Sequence, residues 1–357
     1  MAMSLEEFLA EWHSDSPYVR VQTSGSTGAP KPMLAEKRRM LASARRTNDF
    51  LGLHEGDTAL LCLSLDYIAG KMMVVRALER GLQLTAVEPS GHPLLLHSSP
   101  FSLAAMVPLQ VYNALQVPEE RERLRQVRHL IIGGGAVDDT LAAELKSFPN
   151  AVWSTYGMTE TLSHIALRRI NGPEASEWYT PFPTVGVSLS DDHCLIIDAP
   201  EVCPHPLVTN DIAEIQEPGP NVQSSMVNGQ CSMFRILGRK DNIICSGGLK
   251  IQAEELERRL RPHLHTPYII TKRPDRKFGE AVILLTEGSA DEARQVCQRI
   301  LPEYYRPRAI LRIPQIPLTA TGKPARHEAE MLARRLPLCH VCTQEQKLDW
   351  HHQCGCR

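Results

Sequence analysis

The segment Tyr18-Val19-Arg20-Val21-Gln22-Thr23-Ser24-Gly25-Ser26-Thr27-Gly28-Ala29-Pro30-Lys31 carries more information than any other in the chain. Val19 and Val21 alternate with polar residues, so a brief β-prone run leads straight into a Gly/Ser/Thr loop. Beyond it, Glu36 to Leu51 has helical spacing and contains no Gly or Pro. The order is strand, loop, helix. Gly25 and Gly28 let the backbone turn and approach a ligand, Thr23, Ser24, Ser26 and Thr27 supply hydroxyls, and Lys31 supplies a positive charge. Those are the parts of a polyphosphate cradle. The pattern is not a Walker A loop, because the lysine does not directly follow the second glycine and no Ser or Thr follows the lysine. A polar surface turn is the competing reading, against which stand four hydroxyls packed around two glycines directly after a strand.

Working outward, a short acidic helix is predicted near Ser4 to Trp12. Thr58 to Leu63 and Leu82 to Val87 read as buried strands, separated by a helical stretch Gly70 to Arg80 that stops at Gly81. His129 to Ile132 is a further apolar strand and Asp139 to Phe148 a further helix. Alternation of this kind predicts an α/β fold, a sheet with helices on its faces. From Val185 to Ile215 short runs broken by Asp, Pro and Asn predict a small β subdomain. Leu237 to Gly248 then combines three glycines with a charge cluster, Gln252 to Arg261 is helical, and residues to about 335 form an α+β unit. The expected division is a large N-terminal domain over 1–237, a connecting loop over 238–248 with a hinge near Asp241, a smaller C-terminal domain over 249–336, and a Cys/His-rich tail over 337–357.

A length of 357 residues fits about two domains at roughly 150 residues each. Hydrophobic residues at 43% and charged residues at 22% lie far from the composition of disordered chains. Lys and Arg number 39 against 41 Asp and Glu, a formal charge of -2 that gives no reason to expect nucleic acid or an anionic membrane as partner. The N-terminus is acidic without a long apolar run, so neither a signal nor a transit peptide is read there. Apolar runs such as Ala281 to Leu285 fall far short of the ~18 residues a membrane span requires. The expectation is a cytoplasmic protein acting on small molecules. Six of the ten cysteines are isolated singles and read as small buried hydrophobes; the other four crowd into the tail.

Later motifs extend the first. Tyr156-Gly157-Met158-Thr159-Glu160-Thr161, Thr209-Asn210-Asp211, Gly238-Arg239-Lys240-Asp241 with Ser246-Gly247-Gly248-Leu249-Lys250-Ile251, and Pro317-Leu318-Thr319-Ala320-Thr321-Gly322-Lys323 follow in that order. Together with the Thr23 to Lys31 loop, the set resembles the ordered motifs of the AMP-forming acyl-CoA synthetase, luciferase and adenylation-domain superfamily. The resemblance implies that a carboxylate attacks the α-phosphate of ATP to give an acyl-adenylate, after which a thiol takes the acyl group. It implies ATP, Mg²⁺ and coenzyme A as cofactor and co-substrates, with Ser24 to Lys31 on the β- and γ-phosphates, Thr27 and Lys31 acting there in catalysis, and Glu160 helping to bind Mg²⁺. Lys323 would bridge the carboxylate and α-phosphate. Tyr156 would stack on adenine opposite a wall of Gly133, Gly134 and Gly135, with Gly157 and Thr159 in the same nucleotide site. Asp211 and Arg239 would take the ribose hydroxyls. The family also hinges near Asp241 and swings a mobile C-terminal domain, so that Gly247 and Gly248 border a thiol tunnel; a fixed interdomain linker is the plain alternative.

Many relatives place a much longer segment before the phosphate loop. In its shortness the chain most resembles compact o-succinylbenzoate-CoA ligases of menaquinone biosynthesis. Leu63-Ser64-Leu65-Asp66-Tyr67-Ile68-Ala69-Gly70-Lys71 is similar to the Pro-Leu-Phe-His-Ile-Ser-Gly-Leu stretch of that group, with Tyr67 in place of His and Lys71 in place of Leu. Tyr67, Gly70, Lys71 and Thr161 are therefore expected at the acyl site. Two readings of Lys71 stand side by side: with Arg76 it holds the benzoate carboxylate that is not activated, or it snorkels to solvent from a helix start. Cys339-His340-Val341-Cys342 through His351-His352-Gln353-Cys354-Gly355-Cys356 has thiols and imidazoles enough for zinc, yet Cys-x-Cys is tighter than a usual second pair, and an oxidisable extension is the preferred reading. Besides the o-succinylbenzoate ligase, the sequence leaves open another aryl- or acyl-CoA ligase, a carrier-protein-loading adenylation enzyme, and a non-catalytic nucleotide-binding relative.

Overall fold

The computed structural model describes residues 3–22, 32–96, 100–216, 232–319 and 323–336. They fall into two units, Met1–Ile236 and Leu237–Arg357. In the first, α1 (Leu5–His13) starts at Ser4, whose Oγ accepts from the Glu7 amide while the Glu7 carboxylate accepts from the Ser4 amide. That reciprocal pairing satisfies two otherwise orphaned donors and fixes the helix start. Strands β1 (Tyr18–Gln22) and β2 (Pro32–Glu36) pair antiparallel from Tyr18↔Glu36 to Gln22↔Pro32, bracketing residues 23–31. Helix α2 (Lys37–Phe50) buries Met40, Ser43, Ala44, Thr47 and Asn48, one stripe at helical spacing.

There follow β3 (Thr58–Leu61), α3 (Ile68–Arg80), β4 (Gln83–Ala86), β5 (Leu103–Met106), α4 (Pro108–Gln116), α5 (Pro118–Gln126), β6 (His129–Ile132), α6 (Asp139–Leu145), β7 (Ala151–Gly157), β8 (His164–Arg169) and β9 (Thr180–Pro181). Helix α3 ends at Gly81 in the left-handed conformation at φ 67°, its N–H on the Ala77 carbonyl. Helices α4 and α5 each open on a proline, where the missing N–H costs nothing. Among the described residues these strands make a seven-stranded sheet in the order β4-β3-β5-β6-β7-β8-β9, parallel from β4 to β7 and antiparallel beyond. Successive strand residues point to opposite faces. Ala59, Leu61, Leu103, Ala105 and Ile131 join Met40, Ala44 and Met72 of α2 and α3 in one core. Leu60, Ala104, Met106, Leu130 and Ile132 join Val111, Leu124 and Leu141 of α4, α5 and α6 in another. The sheet thus lies between two helical layers, the α/β architecture that the strand–helix alternation implied.

Strands β10 (Gly186–Leu189), β11 (Cys194–Asp198), β12 (Leu207–Gln216) and β13 (Met233–Arg239) form a four-stranded sheet in sequence order, where a small β subdomain was predicted. Strand β13 carries the chain out of the first unit. The second unit holds β14 (Ile243–Ser246), β15 (Leu249–Gln252), α7 (Ala253–Leu260), β16 (Tyr268–Asp275), β17 (Gly279–Thr286), α8 (Ala290–Ile300), β18 (Ala309–Arg312) and α9 (Arg326–Arg335). Its sheet runs β15-β14-β17-β16, with β18 parallel to β17. Residues Val282 and Leu284 of β17 pack with α7 and α8, whereas Ala281, Ile283 and Leu285 pack with Ala329 and Ala333 of α9. Among the described residues no helix is long and apolar enough to cross a membrane.

Candidate active site

Five parallel strands end along one edge of the large sheet, and in open α/β sheets that edge is where ligands bind. Residue Gly133 directly follows β6 in the register Ile132↔Ser154, and a Cβ added to it would strike Thr155 Oγ1 on β7. Gly134 sits at φ 76°, in the region that glycine enters without a Cβ penalty. Gly135 faces Pro108 at ordinary contact distance, 3.5 Å from an added Cβ to Cγ. The three glycines therefore leave a backbone-walled step beside Tyr156, the residue after Thr155.

The Tyr156 hydroxyl donates to Asp211 Oδ2 at 2.7 Å, joining two sequence motifs 55 residues apart. Its ring lies edge-on to Phe234 at 5.0 Å and tilted to Tyr179 at 5.8 Å, and Tyr179 and Phe234 stack on each other. Burial, then the neighbouring Asp211 carboxylate, push the phenol well above its ordinary value, so it stays a donor. The Asp211 amide in turn donates to Thr209 Oγ1. This places an oriented carboxylate next to an aromatic face.

After β7 the chain makes a tight turn back to β8. Gly157 is required there, since a Cβ would strike the Ser163 carbonyl and come within 2.8 Å of the His164 amide. Thr159 is buried, its carbonyl accepting from the Leu162 amide. Thr161 is fully buried: its Oγ1 accepts from the Met158 amide and lies 3.1 and 2.8 Å from the Met158 and Ser163 carbonyls. That hydroxyl builds the turn. Glu160 is exposed at the turn's tip, and among the described residues no cation lies within ion-pair distance of it. A hard, exposed carboxylate of this kind fits Mg²⁺.

The same turn meets α3. Arg76 is 2% exposed, and its Nη2 donates to Ser163 Oγ at 2.6 Å. Among the described residues no carboxylate pairs with it and its Nε finds no acceptor, so burial alone pulls the guanidinium down to about 10. His164 is also buried, with Nε2 3.0 Å from Thr47 Oγ1; burial first and the Arg76 charge second hold it well below its ordinary value, hence neutral. An uncompensated buried cation is costly and is the clearest chemical signal in this unit.

Lys71, on the same helix, is held by protein groups on two sides. It is 2% exposed, so it does not snorkel; its Nζ donates to the Arg20 carbonyl at 2.5 Å and lies 3.9 Å from Glu11 Oε2 and 5.6 Å from the Phe8 ring centre. The ammonium is met from within the protein. Gly70 abuts the backbone of the preceding turn, where a Cβ would strike the Ser64 carbonyl and approach the Leu63 carbonyl to 2.8 Å. Tyr67 precedes α3 as its N-cap and is half-buried. A cavity of about 390 Å³ lies beside Lys71, lined also by Arg20, Gln22, Pro32 and Asp66 at the base of the β1–β2 hairpin.

In the second unit, Arg239 Nη2 bonds Asp241 Oδ2 at 3.2 Å, and the Arg239 carbonyl accepts from Gln252 Nε2 at 2.9 Å. Gly247 and Gly248, at φ 59° and 86°, make the turn between β14 and β15; the Gly247 amide bonds the Phe278 carbonyl. Lys323 is half-buried and is held to Thr319 by its amide on Oγ1 and its carbonyl on the Thr319 amide. Thr23, Ser24, Gly25, Ser26, Thr27, Gly28 and Lys31 lie outside the described residues, as does the Cys/His-rich tail. Among the described residues no group of three or more His, Cys, Asp or Glu could hold a metal ion.

The structure therefore gathers Gly133 to Gly135, Tyr156, Asp211 and the Gly157 to Thr161 turn, with Arg76 behind that turn. Ser163 and Glu11 are absent from the motifs. Glu11 lies three residues after buried Phe8 on α1, which is the spacing that places it on the same face.

The chain matches a family model described as AMP-binding enzyme over residues 5–223, which include Gly133 to Gly135, Tyr156 to Thr161, Asp211 and Arg76. It is 26% identical to the 2-succinylbenzoate--CoA ligase of Enterococcus faecalis, covering 91% of this chain and 72% of that protein. A solved acyl-CoA synthetase (AMP-forming)/AMP-acid ligase II-like protein from Dyadobacter fermentans is 31% identical with a TM-score of 0.59, over 90% of this chain and 92% of that one. The o-succinylbenzoate coenzyme A synthetase of Bacillus subtilis, solved with ATP and magnesium ion, shares the fold at 21% identity and a TM-score of 0.65, over 87% of this chain and 69% of that one. A match that spans more than half the residues and takes in this whole sheet edge makes the chain a member of the AMP-binding enzyme family.

Proposed function

We propose that the protein is an ATP-dependent acid:CoA ligase whose acid is o-succinylbenzoate, serving menaquinone biosynthesis from the cytoplasm. In the first step a carboxylate oxygen attacks the α-phosphorus of ATP and the bond to the β-phosphate breaks, so pyrophosphate leaves with the electron pair. In the second, the sulfur of coenzyme A attacks the acyl carbon, AMP departs, and the thiol proton passes to solvent. Residues 23–31 would hold the β- and γ-phosphates, with Thr27 and Lys31 acting there in catalysis. Tyr156, the glycine step and Asp211 would hold the nucleoside, and Lys323 would offset charge on the α-phosphate. Magnesium, when bound, neutralises polyphosphate charge, and Glu160 would hold it.

The observation that carries the choice of acid is Arg76. A buried guanidinium that has no carboxylate partner among the described residues, behind the turn after β7, suits an acid that keeps a second carboxylate once the first is activated, because a bidentate pair would then offset the cost of burial. Relatives named as 2-succinylbenzoate--CoA ligases support the same substrate. The test is pyrophosphate release from ATP and Mg²⁺ over a panel of mono- and dicarboxylic acids, followed by coenzyme A capture. The expected result is release with o-succinylbenzoate well above any monocarboxylic acid, a preference that Arg76→Met abolishes by raising the KM for o-succinylbenzoate about 10- to 100-fold. Release equally fast with simple aryl acids would point to a broader ligase, acyl transfer to a carrier protein but not to coenzyme A to a loading enzyme, and ATP binding without release under any acid to a non-catalytic relative.

A further inference from the structure

We infer that Glu11 and Lys71 are positioning residues for nucleotide binding: together they clamp both sides of the Arg20 peptide and so set where strand β1 delivers the chain into residues 23–31. The Arg20 N–H donates to Glu11 Oε1 at 2.8 Å and the Arg20 C=O accepts from Lys71 Nζ at 2.5 Å. Among the described residues strand β1 has only β2 beside it, and in the register Arg20↔Leu34 the Arg20 peptide groups face away from that partner. Two side chains therefore do the work of a missing neighbouring strand, one accepting and one donating at the same residue. The second carboxylate oxygen of Glu11 lies 3.9 Å from the ammonium, which closes the pair on itself.

Packing alone gives no reason for a lysine at this place. Position 71 is buried beside Met72 and Met73, and its ammonium is 5.6 Å from the ring centre of Phe8, so methionine would fill the space at lower desolvation cost. What an ion pair adds is geometry, since a donor and an acceptor fixed on α3 and α1 define one position for the peptide between them. That peptide is two residues from Gln22, where β1 ends. Asp66 lines the same cavity as Lys71, and with Glu11 it supplies two carboxylates around one ammonium, a setting that disfavours an incoming acid. The inference rests on reading residues 23–31 as the phosphate strap of the proposed ligase.

The experiment compares wild type with Lys71→Met, Glu11→Gln and the double variant. It measures the calorimetric Kd for ATP with Mg²⁺ in the absence of acid, the KM for o-succinylbenzoate, and amide exchange at Arg20. The clamp predicts that each single change weakens ATP about three- to tenfold, that the double is no worse than the weaker single, and that Arg20 exchange accelerates in all three while the acid KM stays within about twofold. A rise in acid KM with ATP affinity unchanged would overturn it in favour of Lys71 as an acid anchor, and additive losses would overturn the shared clamp. Should Lys71→Met fail to melt cooperatively, Glu11→Gln carries the test alone, since it alters a partly exposed side chain and removes the charge that pairs with Lys71. Wild type that does not bind ATP would remove the strap reading itself, whereas wild type that binds ATP and releases pyrophosphate beside an unaffected Glu11→Gln would remove only the clamp.

Discussion

At the level of single residues, the bonds around His164 have a direction. Thr47 Oγ1 donates to the Ser43 carbonyl at 3.2 Å, which leaves it to accept from His164 Nε2. On the other side Arg76 donates to Ser163 Oγ, and the Ser163 hydroxyl, 3.4 Å from His164 Nδ1, has that nitrogen as its acceptor. Each bond then has one donor provided the imidazole is neutral; a proton on Nδ1 would leave the Ser163 hydroxyl facing a second donor with Arg76 behind it. The native state accordingly keeps His164 unprotonated far below the pH at which the unfolded chain takes up a proton, near 6.5. The sign follows from linkage. The unfolded state binds more protons below pH 6.5, so this contribution to stability is complete above 6.5 and is lost as pH falls, by up to about 1.4 kcal/mol per pH unit for the one group. Urea titrations at pH 7.5 and 5.5 should show a steeper loss for wild type than for His164→Gln, which keeps an amide donor for Thr47 but does not titrate. Equal losses in the two proteins would mean that the imidazole is protonated in the native state.

At the level of elements, α3 matters most, because it brings Arg76 to the turn after β7 and Lys71 to the hairpin. Its start is fixed by contact with main chain. At Gly70 an added Cβ meets the Leu63 and Ser64 carbonyls, which cannot rotate aside as a side-chain tip can. Gly70→Ala should therefore lower stability by about 1–3 kcal/mol through overpacking, read as a shift of the urea midpoint. Gly135→Ala, whose Cβ would rest 3.5 Å from Pro108 Cγ, is the tolerated control. The helix itself was legible: Met72 to Val75 give it an apolar run and Gly81 a stop. The hairpin strand β1, helix α2 and strand β6 were legible for the same reason, since local pattern is enough to specify them. Helices α4 and α5 were not: in α4 the exposed Leu109 and Tyr112 blur the apolar stripe, and in α5 Leu124 is the one apolar residue after the opening proline. Nor was β7, whose Ala-Val-Trp-Ser-Thr-Tyr-Gly mixes apolar and hydroxyl residues because one end packs in the core and the other enters the site. The motif residues of the site could be read along the chain, but their partners could not. Tyr156 meets Asp211, and Lys71 meets Arg20 and Glu11, across separations of 50 residues or more in which no periodicity survives.

At the level of the whole molecule, the proposed chemistry is divided between units that each have their own core. The glycine step, Tyr156, Asp211 and Glu160 belong to the first; Lys323 and the Gly247–Gly248 turn belong to the second. The two half-reactions make different demands on them. Expelling pyrophosphate from ATP under attack by a weakly nucleophilic carboxylate is the harder step, so an amine at the α-phosphate is useful there, whereas the adenylate is already a reactive mixed anhydride whose attack by sulfur leaves that amine less to do. Lys323→Ala should reduce acid-dependent pyrophosphate release by about 10²- to 10³-fold. Supplied with the acyl-adenylate prepared by synthesis, the same variant should form the coenzyme A thioester within a few-fold of the wild-type rate. The opposite split is expected of Gly247→Val, because a β-branched residue is poorly tolerated at φ 59° and its Cβ would press on the Phe278 ring at 3.2 Å, disturbing the turn assigned to the thiol while leaving Lys323 in place. Measuring both half-reactions in both variants gives a crossed pattern if the second unit serves each step with a different surface. Parallel losses in all four measurements would show instead that the unit contributes only stability, and the assignment of Lys323 to the α-phosphate would fall.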